Sequence, residues 1–233
     1  LPLLDSGEAG RGPGEGPAMP GPYLYYVMPF VAGESLRDRL MREQQLPLDD
    51  VLRIGREAAD ALDYAHRHGI IHRDIKPENI LLEGGHALVA DFGIAKATEA
   101  SGGAKLTETG LAVGTPAYMS PEQSLGQGVD RRSDVYALGC VIYEMLVGEP
   151  PYTGPTAQAI IARRLHEPVP SVRVVREGVP VEVEAALQRA LAKVPADRFA
   201  TAGEFIAALS IRGAAGSPRP AGVGWRLLVG AVV

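Results

Sequence analysis

Residues 72–79 read HRDIKPEN. Asp74 stands next to Arg73, Lys76 follows two residues later, and Asn79 comes five residues after Asp74. A carboxylate so placed can orient a hydroxyl and accept its proton, and a nearby ammonium can offset charge on a phosphoryl group in transfer. The triplet Asp91-Phe92-Gly93 begins twelve residues beyond Asn79. Between them, the apolar runs Ile80–Leu82 and Ala87–Ala90 are separated by EGGH, which predicts a small hairpin. A chain reversal there brings Asp91 beside Asn79. A carboxylate and an amide oxygen converging in this way make a hard-oxygen site suited to Mg²⁺.

Other elements must hold this loop in place. LPLLDSGEA at the start contains a strand end at Leu1–Leu4, and residues 7–22, rich in Gly and Pro, predict loop. YLYYVMPF (23–30) is aromatic and β-branched and predicts a strand, with Pro29 at its edge or end. Ser35–Arg42 predicts a short helix. A longer helix follows, N-capped by Asp49 or Asp50, with Ile54, Ala58, Ala61, Leu62 and Ala65 on one face and Gly69 as its stop. His66 and His68 finish it. From Gly93 to Ser120 no period holds, which predicts a long functional loop. DVYALGCVIYEMLVG (134–148) is apolar nearly all round and predicts a central buried helix ending at Gly148. Further helices are expected near 156–166, 181–193 and 201–210.

The chain has 233 residues, 46% hydrophobic and 22% charged, which suits one domain with or without tails. A net charge of −5 argues against a broad nucleic-acid surface. The single cysteine, Cys140, allows no internal disulfide, and a reducing cytoplasmic setting is the default. Residues 212–224 are rich in Gly, Ala and Pro and read as a linker. Residues 225–233 are either the start of a transmembrane helix or a short apolar tail, since spanning a bilayer takes roughly 20 apolar residues.

With these motifs together, the chain resembles the eukaryotic-type (Hanks-type) protein kinases, and within them the bacterial Ser/Thr kinases. The family's catalytic loop, its DFG and its APE-like triplet are matched by His72-Arg73-Asp74 with Asn79, by Asp91-Phe92-Gly93, and by Ser120-Pro121-Glu122. Neither HRD nor DFG is specific alone; the combination at these distances is. Lys76 after HRD and Thr115 in GTPAYMSPEQ resemble the Ser/Thr branch. The resemblance implies an α+β, protein-kinase-like fold: a mainly helical C-terminal lobe (31–211) and a truncated remnant of the small β-lobe (1–30). It implies Asp74 as the catalytic base, Lys76 on the γ-phosphate, and Asn79 and Asp91 on Mg²⁺. Around the adenine of ATP it implies Met28, the Pro29 carbonyl, the Val31 N–H and Leu81. Arg73 would receive a phosphate from the activation loop, with Thr107 and Thr109 as acceptors. Glu122 would pair with Arg198, and Asp134 would tie the central helix to the catalytic loop. Their plainer alternatives are a helix cap for Asp134, a solvated charge for Arg198 and ordinary loop residues for the two threonines. Protein Ser/Thr side chains are the implied substrates, the kinase itself in trans included. If residues 225–233 begin a membrane helix, the kinase domain would be cytoplasmic and anchored to the inner membrane.

One part of the pattern is not found. Family members carry a Gly-rich loop and a third-strand Lys paired to a helix Glu. Here the lysines are Lys76, Lys96, Lys105 and Lys193, and no GxGxxG precedes them. LPLLDSGEA resembles the family's fourth strand and YLYYVMPF its fifth. Either the sequence starts after the third strand of an active kinase, or it is a non-catalytic scaffold. The intact Asp74, Lys76, Asn79 and Asp91 favour the former. By themselves these residues are expected to bind ATP poorly and to expose apolar surface at Leu3, Leu4 and Phe92. A small-molecule phosphotransferase would share the Asp–Asn–Asp arrangement but not the segment GTPAYMSPEQ.

Overall fold

The computed structural model describes residues 5–9, 23–27, 31–92 and 116–209, the first two stretches by backbone alone. Strands β1 (Asp5–Ala9) and β2 (Tyr23–Val27) pair antiparallel, with Asp5 opposite Val27 and Ala9 opposite Tyr23. The loop expected from residue 7 therefore begins later: pairing with the aromatic β2 carries Gly7 to Ala9 into the ladder despite their weak strand preference. Met28 and Pro29 lie outside the described residues.

A second sheet has the order β3-β4-β5, from Glu34–Ser35, Ile80–Glu83 and His86–Val89. Gly33 leads into it so closely that an added Cβ would sit 2.0 Å from the Leu82 carbonyl oxygen. The hairpin β4–β5 turns at Gly84-Gly85, with Ile80 opposite Val89. The Ala87 N–H donates to Glu57 Oε2 at 2.7 Å, which pins the hairpin to the neighbouring helix.

Helix α1 (Leu36–Glu43) starts at a reciprocal cap between Ser35 and Asp38 and buries Leu36 and Leu40. Helix α2 (Leu48–Arg67) buries Ile54, Ala58, Leu62 and Ala65 on one face. Its N-cap is Pro47, so Asp49 and Asp50 fall in the first turn, where their charge faces the positive helix end. Proline fits the cap because it supplies the carbonyl a helix start needs and lacks only a donor. Helices α3 (Pro121–Ser124) and α4 (Arg131–Val147) follow. In α4 every residue from Ser133 to Val147 is buried, and Gly148 closes it in the left-handed conformation at φ 98°. Helices α5 (Ala157–His166), α6 (Val172–Val175), α7 (Val181–Ala190) and α8 (Ala202–Leu209) complete the described chain. The helix expected to reach 193 stops at Ala190.

One apolar core joins these parts. Ile142 on α4 packs among α2 and α8 residues such as Ile54, Phe205 and Ile206, and Leu187 and Leu191 close the α7 side. Asp63 on α2 accepts from the Ala202 and Gly203 N–H groups at 3.1 and 3.0 Å, holding the start of α8. Phe92 is partly buried against this core instead of forming an exposed patch; Leu3 and Leu4 lie outside the described residues. Among the described residues no helix is long and apolar enough to cross a membrane, and residues 225–233 are not among them.

Candidate active site

The loop 72–79 connects α2 to β4, and its backbone is held from below. Asp134, fully buried in the first turn of α4, accepts from the His72 N–H through Oδ2 and from the Arg73 N–H through Oδ1, both at 2.8 Å. His66, in the last turn of α2, brings Nε2 to 2.7 Å from Asp134 Oδ2. That oxygen can only accept, so His66 carries its proton on Nε2. The His72 ring is buried and sets Nε2 2.8 Å from the Ala90 carbonyl. Ile75, also buried, anchors the loop to the core. With these anchors Arg73 adopts φ 69°, a left-handed conformation costly for a non-glycine residue.

Three of the side chains singled out from the sequence meet above these anchors. Lys76 Nζ donates to Asp74 Oδ2 at 2.7 Å. Asn79 Nδ2 donates to the Asp74 carbonyl at 2.8 Å and to Asp74 Oδ2 at 3.2 Å. Asp74 Oδ1 makes no hydrogen bond among the described residues, and the side chain stays 43% exposed, so this oxygen is open to an incoming hydroxyl. With the Asn79 amide nitrogen engaged by Asp74, its oxygen is the end left to serve as a ligand.

The hairpin then returns the chain. The Ala90 N–H donates to the Asn79 carbonyl at 2.9 Å, which places Asp91 next to Asn79. Asp91 is exposed and left-handed at φ 60°. Phe92 packs on His72, with ring centroids 4.7 Å apart. The described residues hold no cluster of three or more His, Cys, Asp or Glu side chains suited to a metal. A Mg²⁺ ion held by one or two protein oxygens, phosphates and water needs none, so Asn79 and Asp91 fit that ion's donor chemistry.

The other residues singled out from sequence divide into two groups. Leu81 pairs with Ser35 in the β3–β4 ladder, and Val31 is half-buried two residues before Gly33. Thr107, Thr109 and Thr115 lie outside the described residues. Glu122 and Arg198 form a bidentate ion pair, Nη1 to Oε1 and Nη2 to Oε2, each at 2.7 Å. Ser133 Oγ donates to Glu122 Oε1 at 2.5 Å. Burial works to raise the Glu122 carboxyl, but Arg198 and Ser133 outweigh it and hold its pKa below the usual 4.5. Arg198 also donates to the carbonyls of Ala192, Arg132 and Lys193 and lies over the Tyr136 ring.

Several side chains that touch this site carried no signal in the sequence reading. Gln123 Nε2 donates to the Arg73 carbonyl at 2.8 Å and so couples the segment after Ser120 to the loop 72–79. Arg164 reaches Ser124 Oγ at 3.0 Å and the Pro116 carbonyl. His66 looked like a helix-ending residue. Glu144 did offer a clue: it is an acid inside an otherwise apolar buried run, and such a charge needs a partner.

The lobe and its loop belong to a recognised class. Residues 18–206 match the protein kinase domain family, and the chain belongs to it. Curated relatives include serine/threonine-protein kinase PknB of Mycobacterium leprae, 42% identical over 207 residues. That match covers 88% of this chain and 33% of the relative. The PknB of Mycobacterium tuberculosis is 43% identical over 210 residues, covering 89% and 32%. The chain thus spans about a third of the length of these relatives. Among solved structures, the Mycobacterium tuberculosis PknI kinase domain superposes with a TM-score of 0.65 at 31% identity, covering 89% of this chain and 69% of that one.

Proposed function

We propose that these residues form the catalytic lobe of an enzyme that transfers the γ-phosphoryl group of ATP to Ser or Thr side chains of proteins, its own copies in trans included. The observation that carries this reading is the convergence of Lys76 and Asn79 on one oxygen of Asp74, in a side chain that stays 43% exposed. The substrate hydroxyl would donate to Asp74 Oδ1. Its oxygen attacks the γ-phosphorus, the bond to the β-phosphate oxygen breaks, ADP leaves, and the hydroxyl proton passes to Asp74. Lys76 would offset charge on the transferring group. Asn79 and Asp91 would hold Mg²⁺, which when bound neutralises phosphate charge. Met28, the Pro29 carbonyl, the Val31 N–H and Leu81 would surround adenine. A phosphate on Thr107 or Thr109 would reach Arg73 and order the loop ahead of Thr115 by charge-assisted hydrogen bonds. Mass spectrometry of active protein should find one of the two modified; neither modified would refute this step.

Within the 233 residues no Gly-rich phosphate loop and no lysine ahead of Lys76 occur. Positioning supplies most of phosphoryl-transfer catalysis. The activity is therefore assigned to a polypeptide that supplies these groups, with 1–30 as small-lobe remnant, 31–211 as large lobe, 212–224 as linker and 225–233 as either the start of a membrane helix or a short apolar tail. The 233 residues by themselves should bind ATP weakly and turn over little. The test is transfer of labelled phosphate to a protein substrate by the full polypeptide, with Asp74→Asn as control. Transfer abolished by Asp74→Asn supports the reading. No transfer by the full polypeptide would leave the second reading, a non-catalytic scaffold.

A further inference from the structure

We propose that Arg37 is a positioning residue for the protein substrate, an assignment that rests on the kinase reading above. Its guanidinium reaches three parts of the chain at once. Nε donates to Glu78 Oε1 at 2.8 Å, Nη1 to Glu144 Oε1 at 2.7 Å, and Nη2 to the Tyr118 hydroxyl. Tyr118 in turn donates its hydroxyl proton to Glu144 Oε2 at 2.5 Å. Glu78 directly precedes Asn79 in the catalytic loop. Tyr118 lies two residues before Ser120, in the stretch where a protein substrate would dock. Glu144 belongs to α4, the rigid centre of the lobe, and is only 3% exposed.

The chemistry of this cluster fixes Arg37 as its hub. Lysine carries a compact charge and cannot fork to three separated acceptors, whereas a planar guanidinium can. Burial and then the Glu144 carboxylate push the Tyr118 phenol well above its usual value, so it remains a proton donor. Burial works against the Arg37 charge, but Glu144 and Glu78 together more than compensate. None of the hydrogen bonds made by the Arg37 side chain goes to Val31, Asn79, Leu81 or Asp91, the described residues assigned to nucleotide and metal. Loss of Arg37 therefore loosens the docking stretch relative to Asp74 and leaves the nucleotide contacts in place.

The test compares wild type, Arg37→Ala, Arg37→Lys and Tyr118→Phe in the full polypeptide, with Asp74→Asn as the inactive control. Steady-state kinetics give KM for a protein substrate and for ATP separately, and hydrogen exchange reports residues 117–120. Arg37→Ala should raise KM for the protein substrate about tenfold or more, as misplacement of about 1 Å can cost up to 10²-fold. KM for ATP should stay within about twofold. Exchange at 117–120 should accelerate. Tyr118→Phe should give the same pattern in milder form, and Arg37→Lys should recover only part of the loss. Unchanged KM for the protein substrate in Arg37→Ala, or equal losses for both substrates, would overturn the proposal. If Arg37→Ala does not fold, Tyr118→Phe decides by the same two readouts. If wild type transfers no more phosphate than Asp74→Asn, the kinase reading itself falls, and the exchange data alone then show whether Arg37 holds the docking stretch.

Discussion

Glu122 and Arg198, 76 residues apart in sequence, meet through two parallel N–H···O bonds of 2.7 Å with almost no solvent contact. The pair fastens α3 to the stretch between α7 and α8. Further partners flank it: Ser133 donates to the carboxylate, and three backbone carbonyls take the other guanidinium donors. Removing either member leaves the other charge buried without its partner, so Glu122→Ala and Arg198→Ala should each destabilise by about 3–5 kcal/mol. The double variant should cost much less than the sum. Denaturant melts of the four proteins measure this coupling; additive losses would show that the two charges do not depend on each other.

The same carboxylate gives the lobe an acid-sensitive joint. Its folded pKa lies below the usual 4.5, so the unfolded chain takes up the proton first as pH falls. The contribution of Glu122 is complete above that usual value and drains away as pH drops through the lower, folded value. Urea midpoints of wild type and Glu122→Gln between pH 7 and pH 3 should therefore converge at the acid end. A constant difference across the range would contradict this sign.

Cys140 sits on α4 with no solvent exposure, and burial pushes its thiol up to about 12. At pH 8 its thiolate fraction falls to about one in ten thousand, against about a quarter for a free thiol of pKa ~8.5. Ellman's reagent should therefore label the folded chain only as fast as it opens, and label it promptly in denaturant. Fast labelling under native conditions would place α4 nearer the surface than the structure does.

Asp134 offers a third point of attack. Asp134→Asn keeps the shape but turns an NH₂ group toward one of the donors on His72, Arg73 or His66. Leaving a buried donor unpaired costs about 1–3 kcal/mol. Amide exchange at 72 and 73 should accelerate, and phosphate transfer by the full polypeptide should fall together with it. Protected amides in the variant would mean that the loop is held by Ile75 and the His72 ring alone.

Much of the site was legible because its residues are close in sequence. HRDIKPEN and the β4–β5 hairpin carry their geometry locally, and a turn of two glycines fixes where the chain reverses. Helix α4 was equally legible, since apolar residues on every face leave a helix of that length only the interior. The pairing of Glu122 with Arg198 came from family resemblance; no local pattern links positions so far apart. Where local preference misled, a partner elsewhere had decided the matter. β2 drew Gly7 and Ala9 into a ladder, and the Pro47 carbonyl started α2 ahead of the acids that looked like its cap. Arg37 was invisible for a simpler reason: in LRDRLMRE it is one of three arginines, and nothing in the spacing says which of them turns inward.

Asp134 grips His72 and Arg73 by their main-chain amides, not by their side chains. A hold of that kind is blind to what hangs from the backbone. As far as this anchorage goes, any amino acid with an N–H could stand at either place, and only proline would slip from it. The height and tilt of the loop are thus set in part by the polypeptide itself, and this one hold makes no demand on the side chains at 72 and 73.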